Sequence, residues 1–160
     1  MRNPLATDRL RFRPLTEADE KDVVRIIGDE HVAARDVRDA VVHWRDHGFG
    51  PYVALERASG EVVGVIELHR AGDGLVGIDP DEIEIGWLIE PERRGEGLAT
   101  EAAAAVLAQG LALSDHVVAY VRRGNEASDR VAEKIGMRYE RDGQARDGQP
   151  VRIYIARRER

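Results

Sequence analysis

Apolar and polar residues alternate in several short segments of the chain, and each such segment predicts a β-strand. The first, "RLRFRPL", places Leu10 and Phe12 on one face and stops at Pro14. The segment "YVALERASGEVVGVIEL" predicts two strands joined by a turn at Ser59 and Gly60. The segments "EIEIGWLI", "HVVAYVR" and "RYERDGQARDGQPVRIYIA" predict four more, so we expect about seven strands.

Other segments repeat apolar residues every three or four positions, which predicts four helices. Thr16 and Asp19 form a capping-box pattern before the first helix, and Asn125 is the expected N-cap of the last. The third helix is the alanine-rich stretch 97–113, whose small side chains let it lie close to a sheet. Glycines end the other three helices: Gly28, Gly48 and Gly136.

The predicted order of elements is β-α-α-β-β-β-α-β-α-β-β. Antiparallel hairpins therefore surround one β-α-β unit, which indicates an α+β (mixed α/β) fold around one mostly antiparallel twisted sheet. No repeat or linker interrupts the chain, so we expect residues 1–160 to form a single domain. The Gly- and Asp-rich segment 71–81 predicts a mobile loop. Gly86, inside a strand, indicates a bulge or a close backbone approach.

The composition narrows the class of protein. A formal net charge of −6 disfavours nucleic-acid binding, and the absence of cysteine excludes disulfides and thiolate chemistry. No apolar run is long enough to cross a bilayer, and the N-terminus lacks the apolar segment of a secretory signal. We therefore expect a cytoplasmic protein without a membrane partner. His43 and His47 have zinc-ligand spacing, but Trp44 stands where a zinc protease has glutamate, so we expect no metal.

The stretch "PERRGEGLATEA", residues 91 to 102, begins a helix with arginines and glycines. The unpaired N–H groups and positive dipole of a helix N-terminus favour an anion, best of all a phosphate. The P-loop is excluded because Gly-Lys-Ser/Thr is missing. A dinucleotide fold stays open as an alternative: Gly95-x-Gly97-x-x-Thr100 matches two of its three glycines, although the next strand ends in two arginines instead of an acid.

Arg94-x-x-Gly97-x-Ala99 at this turn resembles the signature of the GNAT superfamily of N-acetyltransferases, in which the turn holds the pyrophosphate of acetyl-CoA. "NEASDRVAEKIGMRYE" is similar to the second motif of the family, and "TDRLRFRPLTEAD" resembles its first strand and helix. "EIGWLIEPERRGEGLATEA" is most similar to the Rim-type (ribosomal-protein) branch. The resemblance covers nearly the whole chain and implies a sheet splayed between the fourth and fifth strands.

The resemblance implies acetyl transfer from acetyl-CoA to a primary amine by direct attack through a tetrahedral intermediate. In the family, pantetheine follows the strand before the signature, which here is Trp87, Leu88 and Ile89; the Leu88 N–H is the expected oxyanion donor. The pyrophosphate-binding residues implied here are Arg94, Gly95, Glu96, Gly97, Leu98, Ala99 and Thr100. Asn125 is expected to contact pantetheine, to cap its helix, or to do both.

Glu84 is the candidate base, acting directly or through water, because it lies just before the acetyl-binding backbone and burial would raise its pKa. The competing interpretation makes Glu84 part of a solvated strand edge. Some relatives carry the base on the following strand, where Tyr120 is too weak a base. Ala132 stands where many relatives have a tyrosine acid, so we expect Ser128 to donate to the thiolate instead.

The sequence leaves the acceptor open between a protein N-terminus and a small amine. We expect the 71–81 loop and the first two helices to shape the acceptor pocket. The acids Asp79, Asp81, Glu82 and Glu84 favour a cationic acceptor. The missing tyrosine also keeps open a non-catalytic acyl-CoA-binding sensor. The resemblance implies a monomer or a homodimer.

Overall fold

The computed structural model describes residues 5–159, so the first four residues of the N-terminal segment lie outside the described residues. Its strands and helices follow the predicted order. In chain order they are β1 Leu10–Pro14, α1 Glu20–Ile27, α2 Glu30–His47, β2 Tyr52–Glu56, β3 Val62–Arg70, β4 Ile83–Ile89, α3 Leu98–Leu113, β5 His116–Arg122, α4 Glu126–Lys134, β6 Arg138–Gln144 and β7 Pro150–Arg157.

The seven strands form one sheet in the order β1-β2-β3-β4-β5-β7-β6. Each neighbouring pair is antiparallel except β4 and β5, which are parallel because α3 connects them across the sheet. This mixed sheet with its four helices is the GNAT fold that the resemblance implied. The five antiparallel pairs rule out the dinucleotide alternative, which requires a doubly wound parallel sheet.

The two faces of the sheet are covered by different helices. One face packs against α3 and α4 through the largest core cluster, which includes Ile66, Leu98 and Val106. The other face packs against α1 and α2 near β2 and β3, where Val23 and Val37 are buried. A third apolar cluster lies beside segment 71–81 and the β6–β7 hairpin.

Two expectations about local backbone need correction. Gly86 pairs with Glu67 in an antiparallel register that runs unbroken along β3 and β4, so the predicted bulge is wrong. Segment 71–81 is irregular, as predicted, but it is fastened to the β6–β7 hairpin. Arg146 donates to the carbonyls of Ala71 and Asp73, and Arg141 donates to the carbonyl of Gly77.

None of the helices between residues 5 and 159 combines the length and the hydropathy that a bilayer crossing requires.

Candidate active site

The sheet opens between β4 and β5. Among the described residues, these two strands pair at a single position, Glu84 with Val118, and the rest of β4 has a ladder partner only on its β3 side. The N–H and C=O groups of Trp87 and Ile89 lie beyond that pairing. The result is a wedge-shaped opening beside an unpaired strand edge, here called the β4–β5 gap.

The direction of each N–H on β4 follows from its pairing with β3. The Glu90 N–H donates to the carbonyl of Val63, so alternate residues back along the strand also point toward β3. Leu88, opposite Val65, is one of them. The expected role of the Leu88 N–H therefore needs correction, because the N–H groups of Trp87 and Ile89 are the ones directed into the gap.

The side chains of this edge belong to the core. Ile89 is buried and Trp87 packs against the same cluster, whereas Leu88 contacts the cluster beneath α1 and α2. Trp87 and Leu88 are half-buried, so the main chain of the edge is available to a ligand in the gap together with the exposed parts of these two side chains.

The turn before α3 has the backbone that an anion site needs. Gly95 and Gly97 have φ of 82° and 79°, a left-handed conformation that strongly favours glycine, and Gly97 is the N-cap of α3. The first-turn N–H groups of Leu98, Ala99 and Thr100 have no partner within the helix because they precede the first helical hydrogen bond.

Two neighbouring arginines of this turn differ in availability. Arg93 pairs with Glu56 and with Glu96, whose Oε2 is 3.0 Å from the Arg93 Nε. Arg94 is exposed, and its guanidinium makes no hydrogen bond or ion pair with a described residue. Arg94 is therefore the guanidinium of this turn that is free to meet a phosphate, whereas the carboxylate of Glu96 is already occupied.

The start of α4 retains polar groups for a ligand. The Asn125 side-chain oxygen accepts from the Ser128 N–H at 3.2 Å, which confirms the expected N-cap and leaves the Asn125 amide N–H groups free of that role. Ser128 is half-buried. Ala132 is fully buried in the main core, so no proton donor stands at that position.

Glu84 is the buried carboxylate of the site. Its side chain is 8% exposed, and its Oε2 has no hydrogen-bond partner among the described residues. Burial, with a smaller contribution from the charge of Glu67, raises the pKa of Glu84 to about 7, against the opposing effects of His69 and Arg146. The interpretation of Glu84 as a solvated strand edge is therefore wrong.

Glu67 and His69 of β3 share the sheet face of Glu84. His69 pairs with Glu84 and Glu67 pairs with Gly86, and paired residues project to the same side of a sheet. The His69 Nε2 lies 3.7 Å from the Glu84 Oε2 and 3.8 Å from the Glu67 Oε2. Sequence reasoning missed both residues, although their alternation within the apolar strand "VVGVIELHR" was a signal.

Tyr120 of β5 lies near this group. Burial, reinforced by the charge of Glu84, raises the pKa of Tyr120, so its hydroxyl stays protonated at neutral pH. The Tyr120 hydroxyl can therefore donate a hydrogen bond but cannot act as a base at neutral pH.

The acids expected to cluster at residues 79–84 do not act together. Glu82 lies 2.9 Å from the His116 Nε2 and accepts from the Asp79 N–H, so it stabilises the end of the loop. Negative charge reaches the site from α2 instead. After burial, Asp36 and Asp39 are the next causes that raise the pKa of Glu67.

His43 has a structural role. Its Nδ1 is 2.7 Å from the Phe49 carbonyl and its Nε2 accepts from the Arg70 N–H at 3.0 Å, so both ring nitrogens are used. No group of three or more His, Asp or Glu side chains in residues 5–159 is arranged to hold a metal ion.

Comparison with known proteins identifies the family. A family-level sequence model described as "Acetyltransferase (GNAT) domain" matches residues 9–138, so the chain belongs to the GNAT acetyltransferases. YkkB, an uncharacterized protein of Bacillus subtilis (strain 168), is 31% identical over 153 residues, which cover 84% of this chain and 85% of YkkB. The chain is accordingly an acyltransferase that uses acetyl-CoA.

Solved structures agree on the fold. A GNAT-family acetyltransferase from Bordetella pertussis superposes with a TM-score of 0.81 at 28% identity, over 96% of this chain and 99% of that one. A RimL ribosomal alpha-N-protein acetyltransferase in complex with coenzyme A superposes with a TM-score of 0.74 at 15% identity, over 97% and 98% of the two chains. The second likeness concerns the fold alone.

Proposed function

We propose that the protein acetylates a primary amine, with acetyl-CoA held in the β4–β5 gap and the amine approaching from the face covered by α1 and α2. One observation carries the proposal. The buried, unpartnered carboxylate of Glu84 stands where β4 and β5 separate, beside the backbone edge that has no strand partner. A base with a pKa near neutrality is thereby next to the place where a thioester would lie.

Acetyl-CoA would be held by main-chain groups and by the free guanidinium of Arg94. Pantetheine would bond to the unpaired edge of Trp87 and Ile89 as an added strand does. The pyrophosphate would meet the N–H groups at the start of α3, reached closely because Gly95 and Gly97 carry no side chain, together with the guanidinium of Arg94. Asn125 would contact pantetheine through its amide N–H groups.

The reaction needs a proton acceptor, an oxyanion donor and a stable leaving thiolate. The amine nitrogen bonds to the thioester carbonyl carbon while Glu84, directly or through water, takes a proton from that nitrogen. The N–H groups of Trp87 and Ile89 are the candidates for stabilising the oxyanion, since they point into the gap. When the C–S bond breaks, the Ser128 hydroxyl donates to the thiolate, which is a reasonable leaving group without a stronger acid.

The acceptor could be a protein N-terminus or a small amine, and the RimL neighbour acts on a ribosomal protein. One observation favours a second candidate function. Ala132 leaves the site without the tyrosine acid, which fits a non-catalytic sensor that binds acyl-CoA.

Two measurements test the acetyltransferase and the sensor against each other. They are a thermal-shift screen with acetyl-CoA, CoA and NADP, followed by thiol-release assays on an amine panel. We expect stabilisation by acetyl-CoA and CoA but not by NADP, and thiol release that requires an amine and is lost in Glu84→Gln. Tight acetyl-CoA binding with no release for any amine would favour the sensor.

A further inference from the structure

The tautomer of a neutral His69 is fixed by its own strand. The His69 Nδ1 lies 2.7 Å from the Arg70 carbonyl oxygen. A carbonyl can only accept, so the proton must be on Nδ1. In the neutral ring the Nε2 then carries a lone pair and no hydrogen.

That lone pair faces two carboxylates. The Nε2 is 3.7 Å from the Glu84 Oε2 and 3.8 Å from the Glu67 Oε2, separations too long for direct hydrogen bonds. The Glu84 oxygen is buried and has no partner among the described residues. The His69 Nε2 therefore lies close to a carboxylate oxygen on each of two paired strands, and no described side chain donates a hydrogen bond to any of these three acceptor atoms.

We propose that Glu67, His69 and Glu84 bind the amino group of the acceptor as an alkylammonium ion. An ammonium supplies three N–H donors, one for each acceptor atom, and its charge offsets the two carboxylates. A hydroxyl has one donor and cannot satisfy all three. The inference rests on the proposed function for the direction in which the acceptor arrives, and it adds Glu67 and His69 as substrate-binding residues.

The surrounding charges favour the same ligand. Asp36 and Asp39 of α2 add negative charge on the β3 side. Arg146, whose charge lowers the pKa of Glu84, is held by the carbonyls of Ala71 and Asp73. The site therefore selects an aliphatic primary amine, which is charged at neutral pH, over a weakly basic arylamine.

Binding delivers the amine ready for deprotonation. One N–H bond of the ammonium breaks and an O–H bond forms on Glu84, which releases that proton to water and is ionised again before the attack. The neutral nitrogen turns so that its lone pair faces the thioester, and its N–H groups keep hydrogen bonds to Glu84 and to Glu67 or His69 that hold it in position. The ionised Glu84 then takes the second proton as the nitrogen bonds to the thioester carbon.

Nuclear magnetic resonance of the histidine side chains tests binding without any need for turnover. The intact protein, without acetyl-CoA, is titrated with n-butylammonium and, separately, with n-butanol. We expect a saturable shift of the His69 Nε2 and Cε1–H signals with n-butylammonium only, while exposed His31 stays unchanged. A His69 signal that ignores n-butylammonium, or responds equally to n-butanol, or shows an Nε2–H before any amine is added, would overturn the proposal.

Variants separate substrate binding from a structural role. Glu67→Gln and His69→Leu should raise the KM of the best amine in the panel about tenfold, the loss expected for one charged hydrogen bond, with the KM of acetyl-CoA unchanged. His69→Gln, which keeps an acceptor oxygen, should recover part of that loss, and His31→Gln should have no effect. Equal changes in both KM values would contradict the assignment.

The two proposals fail in different ways. Acetylation without any His69 response would leave the proposed function standing and reject the ammonium site. A His69 response without acetylation of any amine would support the ammonium site and reject the proposed function.

Discussion

The Glu84 carboxylate and the His69 ring lie opposite each other on paired strands, with 3.7 Å between the Glu84 Oε2 and the His69 Nε2. This pairing brings a buried acid to the parallel junction of β4 and β5. The fold holds the acid there although burial disfavours its charged form. Such an arrangement trades stability for a base with a pKa near neutrality, and it makes the stability of the protein depend on pH in a defined direction.

Glu84→Gln should stabilise the protein at pH 8 and leave it nearly unchanged at pH 5. The pKa of Glu84 is about 7 in the folded protein and 4.5 as its ordinary value. The folded state therefore binds more protons between these values, so wild-type stability falls as pH rises through this window. We expect a gain on the order of 1–3 kcal/mol at pH 8, measured by denaturant unfolding. A loss of stability at pH 8 would contradict the burial argument.

The activity should follow the same ionisation. We expect kcat/KM for acetyl-CoA to fall below about pH 7, where Glu84 becomes protonated. Glu67→Gln removes a like charge that raises the pKa of Glu84. The pH below which kcat/KM falls should therefore be lower in this variant than in wild type. Because the two acids interact, the measured values belong to the pair. If kcat/KM falls at the same pH in Glu67→Gln as in wild type, the two carboxylates are not coupled.

Gly97→Ala should weaken CoA binding. The φ of Gly97 is 79°, so alanine strains the turn by about 1 kcal/mol and adds a methyl group at the anion site. Gly28→Ala is the matched control, since φ there is 82° and the site lies at the end of α1. Both variants should lose similar stability, while only Gly97→Ala should raise the CoA dissociation constant in calorimetry. Equal CoA affinity of the two variants would show that this turn is not part of the acetyl-CoA site.

Arg94→Ala should mainly affect CoA binding, whereas Arg93→Ala should mainly affect the melting temperature. The Arg94 guanidinium has no partner among the described residues, so its loss should weaken CoA binding about tenfold, increasingly at low salt, with little change in melting temperature. Arg93 pairs with Glu56 and Glu96, so its loss should lower the melting temperature more than the affinity. The reverse pattern would place the phosphate contact on Arg93.

The periodicity of the sequence predicted most of the fold and the position of Glu84. Successive residues of a strand point to opposite faces of the sheet. The apolar residues that alternate along "EIEIGWLI" therefore already placed Glu84 on the face opposite to theirs. Gly28, Gly48 and Asn125 marked helix ends that the structure confirms. These features depend on local backbone preferences, which a sequence displays directly.

The remaining features depend on pairing between strands. The direction of the Leu88 N–H follows from its register with Val65, which no pattern within β4 contains. Glu67 and His69 reach Glu84 for the same reason. The acids before Glu84 are close in sequence, but Glu82 is drawn to His116 on β5 instead of toward the site.

The rate of acetyl transfer in wild type and in Glu84→Gln tests the central claim most directly. Acetylated product would be measured by mass spectrometry at pH 8, with saturating acetyl-CoA and the best amine of the panel. We predict that Glu84→Gln lowers kcat by about a hundredfold to ten-thousandfold, with the affinity for acetyl-CoA unchanged. Product formation at the wild-type rate in Glu84→Gln would contradict the account.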